Sequence, residues 1–301
     1  LRMTGEFEKA KALYEKALIL SKKLRMRVTS QSSGIRHSRA GGNLCLFTKK
    51  KDSCCSLYPA KRGRNDKKLQ ISPKTDPLQM RRTEADILCG LAMCSKGMDS
   101  FSAAVRLLDR AERVYMEEDD KTGIAFVYWA KAALLRIQNN LAQSLKYFKK
   151  SEALYKKTGD KYGEAYAFAG LGGVLRMLGR NKSSLSAYSR ADKLFKPLKE
   201  PFGLAYANCG MGSALRMLKR YVESMRCYEK ARKLYEKLNC DSELGYIYYG
   251  EGNVYRKTGD NNSALEYFNK SKAFFEKSGD RRGAVYTGLG IGVVNIESGR
   301  K

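Results

Sequence analysis

The sequence has little of the chemistry that most active sites use. Histidine occurs once, as His37. No set of cysteine and histidine has the spacing of a metal site, and no paired carboxylates recur in a pattern that would form a catalytic pocket. We therefore expect a protein that is not an enzyme and that needs neither a cofactor nor a metal ion.

Long apolar segments are also missing from the sequence. No run of about 18 apolar residues is present to cross a membrane, and no secretory signal is recognisable. The eight cysteines do not have the spacing of a disulfide framework. Those within helical patterns are expected to be reduced, buried thiols: Cys89, Cys94, Cys209 and Cys227. These features favour a cytoplasmic location and predict no membrane partner.

Acidic residues are scarce relative to basic ones. The chain has 58 Lys and Arg against 31 Asp and Glu, a net charge of +27. Such a charge favours anionic partners, which include acidic proteins and nucleic acids. About a third of it lies in an irregular segment, residues 28–75, where Ser, Gly and basic residues dominate. We expect this segment to be a disordered insert, with a basic arm for nucleic acid as the alternative.

The rest of the sequence repeats at a step of 40 residues, most clearly over residues 161–200, 201–240 and 241–280. Each repeat contains two segments with apolar residues at spacings of three and four, which predicts two amphipathic helices. In the first of these repeats we expect helices at 163–178 and 183–198, with a turn at 179–181. A short turn between two helices predicts an antiparallel hairpin.

Small residues recur at fixed positions of these helices. Gly172, Gly212 and Gly252 share one position of the first helix, and Ala191, Ala231 and Ser271 share one position of the second. Glycine in a helix costs about 1 kcal/mol relative to alanine, so we expect close helix packing at these points to offset the cost. The neighbouring glycine-rich runs do not suit a phosphate-binding loop, because no strand precedes them and they lie in mid-helix.

These positions resemble the tetratricopeptide repeat, in the variant with a 40-residue step that kinesin light chains have. The resemblance implies an all-α fold, a right-handed superhelical solenoid of antiparallel helix pairs. By this alignment residues 1–27 are the second helix of a truncated repeat that begins with a turn at Gly5, and residues 76–301 are five full repeats plus the first helix of a sixth. Residues 30–68 resemble a translated bacterial dispersed repeat element, which suggests a bacterial source.

One basic position does not have the pattern of a packing residue. A cation stands three residues before each turn. In the family this face of the first helix resembles the lining of a ligand groove. The predicted groove residues are Lys96, Arg136, Arg176, Arg216, Arg256, Trp129, Tyr166, Tyr206, Tyr246, Tyr249 and Asn253.

Arginine is the side chain that binds a carboxylate with two parallel hydrogen bonds. We therefore predict a protein-interaction scaffold that binds an extended, acidic protein segment in this groove. Three alternatives stay open: the cations only complement the helix dipole, the chain is a nucleic-acid-associated protein, or it is a structural spacer. The exposed apolar residues of the final helix also suggest oligomer formation.

Overall fold

The computed structural model describes residues 2–32 and 77–299 of the chain. The expectations for the basic insert beyond Ser32, including His37 and the basic arm, lie outside these residues. The described residues form helices without a strand, which confirms the predicted all-α fold of helix pairs. They belong to two compact units, each of which is described by itself.

The described residues of the first unit form five helices: α1 (Arg2–Ser32), α2 (Pro77–Gly97), α3 (Phe101–Glu117), α4 (Lys121–Ile137) and α5 (Leu141–Thr158). Helix α2 packs against α3, and α4 packs against α5. Helix α1 packs on α2 through Ala17, which is buried with Ile87 and Leu91.

Helix α1 differs from the prediction at both ends. Gly5 lies inside the helix instead of forming a turn, and the helix runs to Ser32 instead of ending at residue 27. A glycine within a helix costs only about 1 kcal/mol, which the run of good helix formers later in α1, residues 8–13, offsets.

In the second unit, the part that the structure describes forms seven helices: α6 (Lys161–Met177), α7 (Asn181–Phe195), α8 (Pro201–Met217), α9 (Tyr221–Leu238), α10 (Asp241–Thr258), α11 (Asn261–Ser278) and α12 (Arg281–Glu297). The pairs α6 and α7, α8 and α9, and α10 and α11 are the predicted hairpins. The first helices also contact one another, α6 with α8, α8 with α10, and α10 with α12. Helix α7 begins two residues earlier than predicted, at Asn181. It also ends earlier, at Phe195, because Pro197 lacks the N–H group that would continue the helix.

Several helices begin at a short polar side chain that caps the first turn, and several end at a residue with a left-handed backbone conformation. The side chains of Asp120, Asp260 and Asp280 accept hydrogen bonds from the backbone N–H three residues later, at 2.9, 3.0 and 2.9 Å. The turn after α10 has Gly259 at φ 88°, whereas the turn after α8 has Lys219 at φ 61°. The turn therefore keeps its left-handed conformation even where the glycine is replaced by a residue that pays a steric cost.

The small-residue positions are points of close packing. The ring of Tyr188 lies against both Gly172 of its own repeat and Gly210 of the next, where an added Cβ would come within 2.7 and 2.2 Å of the ring. Tyr228 lies in the same way between Gly212 and Gly250. The predicted close approach at these glycines is therefore confirmed. The aromatic residues late in each second helix are buried, as expected of core residues: Tyr115, Tyr155, Phe195, Tyr235 and Phe275.

Candidate peptide-binding face

Three arginines occupy equivalent places in the second unit. Arg176, Arg216 and Arg256 each lie in the last turn of a first helix, in α6, α8 and α10 respectively. These helices are neighbours, and all three side chains are half-buried. We call the side of α6, α8 and α10 that carries them the arginine face.

Arg256 already binds a carboxylate of the chain itself. Its Nη1 donates to Oε1 of Glu297 at 2.9 Å, and the arginine side chain is 16% exposed. Glu297 belongs to α12, the next first helix. The equivalent positions for Arg176 and Arg216 hold Met217 and Lys257. Within the described part of the chain, accordingly, neither of these two arginines forms an ion pair with a carboxylate.

The other two guanidinium groups lie close to buried polar atoms. Burial raises the pKa of the Tyr228 hydroxyl, and the charge of Arg216, which also contacts this hydroxyl, opposes the shift. Burial raises the pKa of the Cys209 thiol to about 12, against the charge of Arg176. The arginines are thus held partly out of water, where a bond to a carboxylate is stronger than at an open surface.

Three of the predicted aromatic residues border the arginine face. Tyr206, Tyr246 and Tyr249 are half-buried. The ring centroid of Tyr206 is 6.4 Å from that of Tyr188. Tyr246 donates its hydroxyl to Oδ2 of Asp280 at 2.9 Å, and burial raises its pKa.

The remaining two predicted residues of this unit lie deeper in the protein. Asn253 is buried, and its Nδ2 donates to the carbonyl of Tyr249 at 2.8 Å. Tyr166 is only 2% exposed and packs on Phe195 at a centroid distance of 4.9 Å. Tyr166 is therefore a core residue of its repeat and does not border an open surface.

The predicted groove residues of the first unit lie at positions equivalent to those of the second unit. Lys96 and Arg136 lie in the last turns of α2 and α4 and are half-buried. Trp129 is buried, with its ring centroid 5.9 Å from that of Phe126. The tryptophan therefore acts mainly as a packing residue of α4.

Two buried carboxyl groups on α10 were not predicted. Glu251 takes a position that is Leu171 in α6, and Glu243 takes one that is a glycine in the neighbouring repeats. Burial raises the pKa of each to about 7. Nε of Arg232 lies 3.8 Å from Oε1 of Glu251. A comparison of the repeats position by position would have revealed them, as carboxylates at positions that are otherwise apolar or small.

The described residues contain neither a metal cluster nor a membrane-spanning helix. None of their His, Cys, Asp and Glu side chains form a group of three or more that could hold a metal ion. None of the described helices is long and apolar enough to span a membrane.

Comparison with known proteins identifies the type of repeat. Residues 203–277 match the family model of the tetratricopeptide repeat, and no curated protein matches the chain. Among solved structures, BtubC (BKLC) from P. vanneervenii is 15% identical with a TM-score of 0.57, over 68% of this chain and 84% of that one. A Rap protein complexed with competence and sporulation factor is 13% identical with a TM-score of 0.60, over 95% and 78% of the two chains.

A third similar structure is aspartyl phosphate phosphatase F from Bacillus subtilis, 12% identical with a TM-score of 0.57 over 97% of this chain and 79% of that one. At these identities the likeness concerns the fold. The family match, the repeat step and the shared fold agree with one another. Residues 203–277 are therefore tetratricopeptide repeats, and the fold of the chain is similar to that of the solved structures above.

Proposed function

We propose that this protein is a non-enzymatic interaction scaffold, and that its arginine face binds an extended acidic segment of a partner protein. The observation that carries the proposal is the bond between Arg256 and Glu297. In this bond, one arginine of the arginine face binds a carboxylate that belongs to the same chain. The same position of two earlier repeats has an arginine without such a carboxylate, which leaves Arg176 and Arg216 able to take one from a partner.

The spacing of the arginines suits an extended chain. Neighbouring packed helices are about 10 Å apart, and a peptide in the extended polyproline II conformation has three residues per turn and advances about 3.1 Å per residue, so residues three apart share one face. Acidic residues about three positions apart would therefore meet successive arginines. The half-buried tyrosines beside them, Tyr206 and Tyr249, offer apolar contact for the side chains in between.

The helix dipole alone is a weaker explanation of the arginines. A cation in the last turn of a helix is stabilised by about 0.3 to 1 kcal/mol whether it is lysine or arginine. Four successive repeats nevertheless have arginine: Arg136, Arg176, Arg216 and Arg256. Arginine can bind a carboxylate through two parallel hydrogen bonds and lysine cannot, so carboxylate binding explains the preference for arginine.

The structural neighbours agree with a binding role. One of them is a Rap protein in complex with competence and sporulation factor, so a protein of similar fold binds another molecule. That likeness does not name the partner of this chain. The chemistry of the arginine face favours an acidic protein segment over an uncharged one.

The test is a binding screen of acidic peptides against the wild type and the double variant Arg176→Ala, Arg216→Ala. Each substitution should weaken binding by about 1 to 3 kcal/mol, roughly 5- to 150-fold, because a charge-assisted hydrogen bond is lost. Lysine at the same positions should restore part of the affinity, since the charge remains but the paired hydrogen bonds do not.

Arg226→Ala is the matched control, because Arg226 is an exposed arginine of α9 outside the arginine face. It should leave peptide affinity unchanged, and all variants should melt near the wild type. RNA is titrated in parallel as a competing anion. Equal peptide binding by the double variant and the wild type would refute the proposal, and binding of RNA alone would favour the nucleic-acid alternative.

A further inference from the structure

The three arginines of the arginine face have different neighbours on the next first helix. In each case the neighbour stands 41 residues later in the sequence, at or beside the last residue of that helix. One neighbour is apolar, one is basic and one is acidic. The three positions of the face are therefore chemically unequal. The pairs are Arg176 with Met217, Arg216 with Lys257, and Arg256 with Glu297.

The bond between Arg256 and Glu297 shows where such a neighbour lies. Nη1 of Arg256 is 2.9 Å from Oε1 of Glu297, although the two residues belong to different helices. Helices α8 and α10 contact each other as α10 and α12 do. Lys257, which is exposed, therefore lies beside the guanidinium group of Arg216, as Glu297 lies beside that of Arg256.

These neighbours change the charge that a ligand meets. Glu297 neutralises Arg256, so an acidic side chain of a ligand would be repelled by this carboxylate and would have to displace it. Lys257 adds a second positive charge beside Arg216, so that position attracts an acidic side chain more strongly. The methionine beside Arg176 is 49% exposed, leaves the charge of the arginine unchanged and offers an apolar contact. The face should therefore accept carboxylates at two of its three positions.

We propose that these neighbours set the charge pattern of the ligand, which bears acidic residues opposite Arg176 and Arg216 and none opposite Arg256. The inference rests on the proposed function of the arginine face and adds the spacing of the ligand's charges. In the polyproline II conformation three residues advance about 9 Å, close to the separation of about 10 Å between neighbouring helices. Acidic residues three positions apart would therefore meet Arg176 and Arg216. Arg176 and Arg256 are two such steps apart and would need acidic residues six positions apart.

The test exchanges the two charged neighbours. The double variant Lys257→Glu, Glu297→Lys keeps the net charge of the chain, but it should neutralise Arg216 and release Arg256. Two proline-rich peptides of equal composition are the probes, one with two glutamates three positions apart and one with two glutamates six positions apart. The wild type should bind the three-spaced peptide about 10- to 100-fold more tightly, which is the effect of one charge-assisted hydrogen bond. The double variant should prefer the six-spaced peptide by a similar factor.

The single variants separate the two changes. Lys257→Glu alone should lower the affinity for the three-spaced peptide to that for the six-spaced one, because only Arg176 remains free of a carboxylate. Glu297→Lys alone should raise the affinity for the six-spaced peptide to that for the three-spaced one, because all three arginines are then available. Lys230→Glu is the matched control, since it makes the same change of charge at an exposed residue of α9 outside the arginine face. It should keep the preference of the wild type.

The outcomes distinguish this inference from the proposed function. A preference for the three-spaced peptide in both the wild type and the double variant would overturn the inference and leave the proposed function standing. If the wild type binds neither peptide more tightly than a peptide with glutamines in place of the glutamates, the proposed function fails and the inference fails with it. Circular dichroism melts should show the variants to be as stable as the wild type. A double variant that melts far below it would also overturn the inference, because the exchanged side chains would then be structural.

Discussion

Alanine at Gly212 and at Gly292 should change the stability of the protein in opposite directions. The two glycines occupy the same position of their repeats, in the middle of α8 and of α12. At Gly212 an added Cβ would lie 2.8 to 3.1 Å from three ring atoms of Tyr228, whereas at Gly292 it would meet nothing within 4 Å among the described residues. This ring is fully buried and has Gly250 against it as well, so it has no room to move away.

The magnitudes follow from two terms. Alanine in a helix is more favourable than glycine by about 1 kcal/mol, which applies equally to both sites. Overpacking of a core typically costs about 1 to 3 kcal/mol, which applies at Gly212 only. Gly292→Ala should therefore gain up to about 1 kcal/mol, and Gly212→Ala should lose up to about 2 kcal/mol. The difference between the two variants isolates the overpacking cost, because the propensity term cancels.

Urea unfolding followed by far-ultraviolet circular dichroism measures both changes, at a protein concentration low enough to keep the chain monomeric. The slope of free energy with denaturant should be the same in the wild type and both variants, so that midpoints can be compared. An equal gain in both variants would refute the reasoning. It would mean that Tyr228 does not press on Gly212 and that the glycine position is not a packing contact.

Three further predictions concern single residues. Lys219→Gly should raise stability by about 1 kcal/mol in the same urea assay, because it relieves a left-handed residue at φ 61°; no gain would show that the lysine is not strained. Asn208→Ala should cost about 1 to 3 kcal/mol, because Nδ2 of Asn208 donates to the buried Oδ1 of Asp192 at 3.0 Å, and a double-mutant cycle with Asp192→Ala should show the two losses to be non-additive. Burial raises the pKa of Glu251 from 4.5 to about 7, so the folded chain binds this proton more tightly than the unfolded chain. Stability should therefore fall as pH rises from about 4.5 to 7, and Glu251→Gln should make this fall shallower; an unchanged slope would contradict the assignment.

The candidate site was predictable only in part. The arginines of the second unit lie at the ends of their helices, as their distance from each turn predicts. Tyr166 was assigned to the same face by its spacing, but its ring turns into the core against Phe195. A helical period assigns a residue to a side of its helix, whereas the packing of the neighbouring helix determines how much of that side remains open.

Sequence alone determined the repeat, its helix pairs and its packing glycines. These features recur every 40 residues and depend on local propensity and on contacts between adjacent helices, so the repetition itself reveals them. Only the tertiary structure decided which carboxylate reaches Arg256 and that the ring of Tyr166 turns into the core against Phe195. The physical reason is that identical positions acquire different partners, because a contact depends on the side chain that the neighbouring helix brings to it and not on the position alone.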